Sequence, residues 1–284
     1  MTRLCYDGTR WSSNQNIFTS MVQTYGNAAT YHGIQFGGTG AYGFLGPDIT
    51  RSGGATNHTA SATGPGWNQA WTEGMGGPDV TFTEDTTHDW VRGHLLNGEW
   101  GGSGSNWANL IAMTAGANAN HKTVEGHVRK WLNKFRTFDD TASGHTTYWY
   151  GIRYWVQAST SPFSEDNDGD DLYSYCPNMI RVTWRIVRIA KPVGVAGTSA
   201  GSAVTATAAG LRAITPANFV AATAAQIEGN ITSRPTKPGA ILPNTEENRA
   251  SAAADSAVRA LSNGIPAIPV AGSTYDGSVQ VYQS

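Results

Sequence analysis

Residues able to break a phosphodiester bond gather between positions 90 and 125, with Arg92, His94, Asn118, His121 and Glu125 as the candidates. Such a hydrolysis needs an activated water, a cation against the developing negative charge, and stabilisation of the leaving oxygen. A neutral imidazole accepts a water proton near pH 7, which suits His94 to the role of general base. Mg²⁺ takes oxygen ligands and keeps several of its own waters, so the single amide carbonyl of Asn118 can anchor it. A guanidinium two positions before the histidine, that of Arg92, can clamp a phosphate through two parallel N–H bonds.

These residues are useful only if the chain brings them together. A helix that opens near Asn118 puts Glu125 two turns along the same face, where a carboxylate orients metal-bound waters. His121, three positions from Asn118, lies near that face and competes for a supporting role. Plainer readings stand beside these. Asn118 is a favoured N-cap type, Glu125 can pair with Arg129 at i+4, and Arg92 can be a surface ion-pair partner.

The ordered set Arg92-Gly93-His94, a Gly-rich turn at 101–104, Asn109-Leu110-Ile111, Asn118 and Glu125 resembles the DNA/RNA non-specific endonuclease family of ββα-metal (His-Me finger) nucleases. The likeness covers roughly residues 85–190. It implies an α+β fold in which a β-hairpin carries His94 as general base and the next helix carries Asn118 as ligand of Mg²⁺ or Mn²⁺. It also implies that Arg92 contacts phosphate or the leaving group, Asn109 braces the site and Glu125 holds metal waters. One departure is plain: Val91 stands where the family motif, Asp-Arg-Gly-His, has its aspartate. The form Arg-Gly-His-Leu-Leu-Asn further resembles toxin-type members of the family, carried as antibacterial or injected effectors.

Composition sets the frame. Charged residues make up 14% of the 284 and glycines number 34, while Trp numbers 10 and Tyr 11. Low charge with many aromatics argues against a disordered chain, and high glycine predicts a loop-rich periphery. The net charge of −2 does not favour polyanion binding, but charge is clustered. Arg129, Lys130, Lys134 and Arg136 form one basic group, and Arg181, Arg185, Arg188 and Lys191 a second. Arg129, Lys130, Arg181 and Arg185 are the candidate phosphate contacts. The acidic run 165–171 lacks the glycine and glutamate positions of an EF-hand and reads as a solvated turn. Cys5 and Cys176 read as two buried thiols, with one long-range disulfide between them as the alternative.

Several elements can be predicted. Val124, Val128, Trp131, Leu132 and Phe135 give a helical stripe over 119–136, in which Gly126 costs about 1 kcal/mol against Ala. Residues 147–157 and 179–189 read as strands, with Ile180, Val182, Trp184 and Ile186 on one face of the second. Weaker signals suggest a helix at 14–24, turns at 37–40 and 46–47, and helices at 215–227 and 246–261 around a Pro-rich linker at 234–243. The chain divides into a loop-rich part of the core (1–80), a nuclease core (81–192), and an Ala/Gly/Pro-rich appendage with two short helices (193–284).

The functional expectation is a metal-dependent endonuclease that cuts DNA, with RNA as a second substrate, acting as a toxin or effector. Its expected partners are nucleic acid and an immunity protein or delivery particle, with no membrane. A catalytically inactive, particle-associated protein on a degenerate nuclease scaffold is the alternative. Aromatic content alone supports a carbohydrate-binding module. Residues 1–25 lack the basic and apolar regions of a signal peptide. Synthesis in the cytoplasm is therefore expected, with any export by a non-classical or injection route.

Overall fold

Tyr148–Ala158 and Met179–Ala190, the two runs richest in β-branched and aromatic residues, form the longest strands and pair with each other antiparallel. The computed structural model describes residues 3–6, 11–14, 21–46, 90–140, 148–163, 175–190, 219–231, 235, 245–248 and 272–283. Numbered in chain order, its strands are β1 (Arg3–Tyr6), β2 (Trp11–Asn14), β3 (Met21–Tyr25), β4 (Ala28–Tyr31), β5 (Ile34–Gly38), β6 (Gly40–Leu45), β7 (Trp90–His94), β8 (Leu110–Thr114), β9 (Tyr148–Ala158), β10 (Met179–Ala190), β11 (Val220–Ala221), β12 (Thr245–Asn248) and β13 (Gly277–Tyr282). Helix α1 spans Ala115–Asp140 and α2 spans Ala224–Asn230. The fold is α+β, and the pairings among its described strands are antiparallel.

Seven strands make the main sheet in the order β12-β13-β10-β9-β6-β3, with β11 also paired to β10. Alternation gives the sheet two faces. Ile152, Tyr154, Val156, Ile180, Val182, Trp184, Ile186, Val279 and Val281 join the core on one of them, together with Val124, Val128, Trp131, Leu132 and Phe135 of α1. The helical stripe is buried to 3% exposure or less. Each such large side chain contributes about 1.5–3 kcal/mol on leaving water. On the other face Tyr42 stacks on Trp155 at 5.1 Å between centroids, and Phe44 meets Phe219 at 4.3 Å.

The site depends on a separate hairpin. Strands β7 and β8 pair with Trp90 opposite Thr114 and His94 opposite Leu110. Helix α1 begins at once after β8. Thr114 caps it, accepting a hydrogen bond from the Ala117 N–H at 3.1 Å on its hydroxyl oxygen. This corrects the expectation that Asn118 caps the helix, because the first turn is already formed before it. The helix is also longer at both ends than its apolar stripe predicts.

Other expectations are corrected as well. Within the predicted helix 14–24, Asn14 ends β2 and residues 21–24 belong to β3, which pairs with β6. Residues 37 and 38 end β5, residue 40 opens β6, and the chain bends at Thr39. Gly38 is required there, since a Cβ would lie 2.1 Å from the Ala108 carbonyl oxygen. At 215–227, residues 220–221 form a strand, and the helix starts only after a capping box between Thr223 and Gln226. Residues 246–248 belong to β12 instead of opening a helix. The C-terminal segment is not an appendage where it is described, because β11 and β13 are built into the main sheet.

Cys176 is a buried thiol outside any disulfide. The acidic run 165–171, Pro47 of the predicted turn at 46–47, the linker at 234–243 except residue 235, and the rest of the 246–261 prediction lie outside the described residues. No described helix is long and apolar enough to cross a membrane.

Candidate active site

Strand β7 projects Arg92 and His94 to the same side because they are two residues apart. Gly93 between them faces the other way, where a Cβ would sit 2.4 Å from the Met113 sulfur. After His94 the chain leaves the strand with Leu95 and Leu96 fully buried. Leu95 N–H donates to the Asn109 carbonyl at 2.8 Å.

The Asn109 side chain is also fully buried and takes the place of a backbone partner for Leu96. Its Oδ1 accepts from Leu96 N–H at 2.9 Å, and its Nδ2 donates to the Leu96 and Ser103 carbonyls at 3.0 and 3.3 Å. One amide thus closes the whole 95–109 loop. The loop is tight enough that a Cβ on Gly102 would fall 1.7 Å from the Leu96 oxygen.

Asn97 turns the chain into a short 3-10 helix, Gly98–Trp100. Its Oδ1 accepts from Glu99 N–H at 2.9 Å, which leaves its Nδ2 to donate to Glu125 Oε2 at 2.8 Å. Gly101 ends that turn with φ 91°, a conformation that favours glycine.

Opposite the loop, α1 contributes Asn118, His121, Lys122 and Glu125, spaced at i, i+3, i+4 and i+7 on one face. Together with Arg92, His94, Asn97 and Gly98 they line one cavity of about 360 Å³. His121 and Glu125 form its floor, at 2% and 5% exposure. His121 Nε2 lies 3.2 Å from the Tyr154 hydroxyl and 3.9 Å from Glu125 Oε1.

Burial dominates the electrostatics. It pushes Glu125 up to about 7, against the opposing pull of the Asn97 hydrogen bond and Arg129. It pushes His121 down to about 4, with His94 adding to the effect. Near pH 6 both groups are therefore held neutral. Arg92 is lowered to about 10 by burial and stays cationic at neutral pH.

The five residues first singled out, Arg92, His94, Asn118, His121 and Glu125, all line this cavity. Asn109 lies beneath the loop. Arg129, one turn beyond Glu125, pairs with Glu99 at 2.5 Å, and Lys130 is exposed beside it. Arg181 and Arg185 are not brought to the site. They alternate with the helix-facing residues of β10 and so point from the opposite sheet face. Arg185 is 0% exposed and donates to the Trp184 carbonyl at 3.1 Å. It has no surface to offer a phosphate, which corrects its assignment as a contact.

Sequence reasoning missed Asn97, Gly98 and Lys122 in the lining, and Tyr154 behind His121. Lys122 was legible as i+4 from Asn118. The others depend on long-range packing that no local pattern encodes.

Among the described residues no group of three His, Cys, Asp or Glu could hold a metal. A zinc-type cage needs such a group, whereas a hydrated hard cation needs few protein ligands. The lining fits the latter, because it combines the Asn118 amide and the buried Glu125 carboxylate with room for water. A cation beside Glu125 would offset the cost of its burial as an anion.

Comparison with family models, with curated proteins and with solved structures gives no match to this chain.

Proposed function

We propose that this chain is a metal-dependent, non-specific endonuclease of the ββα-metal type, acting on DNA and also on RNA in a toxin or effector role. The observation that carries the reading is the meeting of Arg92, His94, Asn118 and Glu125 in one cavity between the end of a hairpin strand and the first turns of the next helix. An immunity protein or a delivery particle would protect the producing cell.

In this reading Asn118 and Glu125 would hold a hydrated Mg²⁺ or Mn²⁺, which supplies positive charge next to the scissile phosphate. His94 takes the proton of the attacking water. The water oxygen bonds to phosphorus, and the bond from phosphorus to the leaving oxygen breaks with its electron pair. Arg92, charged at neutral pH, donates to the phosphate oxygens and offsets charge as it develops. His121 stays neutral and, with Tyr154, fixes the floor. Asn109 holds the loop that keeps His94 in place.

The test is nicking of supercoiled plasmid in Mg²⁺ or Mn²⁺ against EDTA. Cleavage should need the metal, and His94→Ala should lower it at least about 10³-fold with an unchanged circular dichroism spectrum. Intact plasmid and RNA in Mg²⁺, Mn²⁺ and Ca²⁺ alike would remove the enzymatic reading.

A second reading, an inactive particle-associated protein, is favoured by Val91. The position that bears aspartate in the family motif is here an apolar side chain packed against the core. That reading expects no cleavage together with stable association to a larger assembly.

A further inference from the structure

We infer that the exposed stripe of α1 running away from the cavity is a track for the phosphodiester backbone of a nucleic acid, with Gly126 as its point of closest approach. The inference rests on the nuclease reading for where the strand leads, but binding along the track is independent of cleavage.

Positions 118, 122, 126, 129, 133 and 136 follow one another at i+3 or i+4, with 130 beside them at i+4 from 126, and so form a single ridge. From Asn118 to Arg136 the ridge is about 27 Å long, at 1.5 Å per residue. Lys122, Lys130 and Arg136 are exposed on it and Arg129 is half-buried. Of the helix's acids, Glu125 is buried in the cavity, and Asp139 and Asp140 come in the chain after the last cation of the ridge. Glu99 meets the ridge at Arg129. A polyanion complements this row of cations. A duplex carries one charge per roughly 1.7 Å of axis, so the ridge matches about eight base pairs.

Gly126 supplies the second observation. It is half-exposed in the middle of a 26-residue helix, where glycine is among the poorest helix formers. Nothing among the described residues demands it. A Cβ there would meet no atom within 4 Å, and its φ is not among the positive values. It lies four residues after Lys122 and three and four before Arg129 and Lys130. The bare backbone between these cations lets a ligand backbone approach closely, which is a recognised use of glycine.

The test measures binding of a fluorescent 12-base-pair DNA duplex to the full chain in EDTA, by anisotropy over a range of salt. Gly126→Ala should raise the melting temperature and leave binding within about twofold. Gly126→Met should keep or raise the melting temperature and weaken binding about tenfold. Lys130→Gln with Arg136→Gln should flatten the slope of log K against log salt by nearly two, at about 0.9 per phosphate contact.

A folded Gly126→Met protein that binds like wild type overturns the track. So does a fall in melting temperature with either Gly126 variant, which would make the glycine structural. Equal competition by polyglutamate would transfer the surface to an acidic protein and overturn the nucleic-acid assignment. Cleavage that proceeds unchanged in the variants, with unchanged binding, defeats the track alone. Track-dependent binding without cleavage in any metal defeats the nuclease reading alone.

Discussion

Asn97 donates from Nδ2 to Glu125 Oε2 at 2.8 Å, joining the loop after His94 to the helix that carries Asn118 across 28 positions of chain. Glu99 N–H fixes which end of the amide faces the carboxylate. The bond favours the ionised form of Glu125, while burial, the larger effect, holds its pKa at about 7. A cation binding beside Glu125 must therefore displace a proton at acidic pH. Mg²⁺ or Mn²⁺ affinity should rise by up to about tenfold per unit below pH 7 and level off above it. Isothermal titration calorimetry at pH 6 and pH 8 checks this. Glu125→Gln should abolish the dependence, and Asn97→Ala should move the break to higher pH. Affinity that is level from pH 6 to pH 8 in the wild type would show that Glu125 is not near the ion.

Asn109 and Gly102 should be the least replaceable residues of the loop. Asn109→Ala strips partners from the Leu96 N–H and carbonyl, both inside the protein. Each buried orphan costs about 1–3 kcal/mol, so denaturant unfolding should show a loss of roughly 2–5 kcal/mol. Gly102→Ala should be as damaging, because its Cβ meets backbone at 1.7 Å. Gly93→Ala should be milder, because its Cβ meets the movable end of Met113. The double change with Met113→Ala should recover part of that loss. No recovery in the double-mutant cycle would mean that Gly93 is needed for its backbone instead.

How far the sequence foretold this follows from the range of the interactions. The stripe from Val124 to Phe135 and the alternation in 179–189 are local patterns, and both gave the right element. Arg92, His94, Asn118 and Glu125 were legible because their chemistry and order are informative before any contact is known. Residues 21–24 were misread because pairing with β6, a non-local partner, overrides weak local spacing. Arg185 was misplaced because the chain does not say that the second face of β10 is covered. Asn97 was quoted in the motif without a role, since its partner becomes visible only when loop and helix meet.

Stability should depend on pH through three buried groups that pull in opposite senses. His121 and His127 are held down to about 4, chiefly by burial. Their neutral forms support the fold fully above the ordinary value of 6.5, and that support is lost as pH falls towards 4. Glu125 is raised from 4.5 to about 7, so its support is complete below 4.5 and is lost as pH rises through 7. Between 4.5 and 6.5 two histidines oppose one carboxyl, giving a net gain of about 1 kcal/mol per pH unit. Above 6.5 only the carboxyl still titrates, and stability declines. Thermal melts in EDTA should therefore peak near pH 6.5. His127→Gln should flatten the acid side and Glu125→Gln the alkaline side. An acid side unchanged by His127→Gln would contradict this account.

Gln283 lies just beyond β13, and its side chain acts as one more strand residue against β8. Its Oε1 accepts from Thr114 N–H at 2.9 Å and its Nε2 donates to the Ala112 carbonyl at 2.9 Å. Its own N–H donates to the Asn178 carbonyl at 3.0 Å, which ties the clamp to the main sheet. Thr114 is both the last residue of the hairpin and the cap of α1. The clamp therefore sets the joint between the strand pair bearing His94 and the helix bearing Asn118. Gln283→Ala leaves two buried backbone groups without partners and should cost about 2–4 kcal/mol. Exchange of the Thr114 amide hydrogen should quicken more than that of the central strands, since only the joint is loosened. Plasmid cleavage should fall about tenfold or more, as small misplacements of a catalytic group are costly. Gln283→Glu keeps the acceptor for Thr114 but loses the donor to Ala112 and should not restore activity. Unchanged protection of the Thr114 amide in Gln283→Ala would show that the hairpin and helix hold their angle without the clamp.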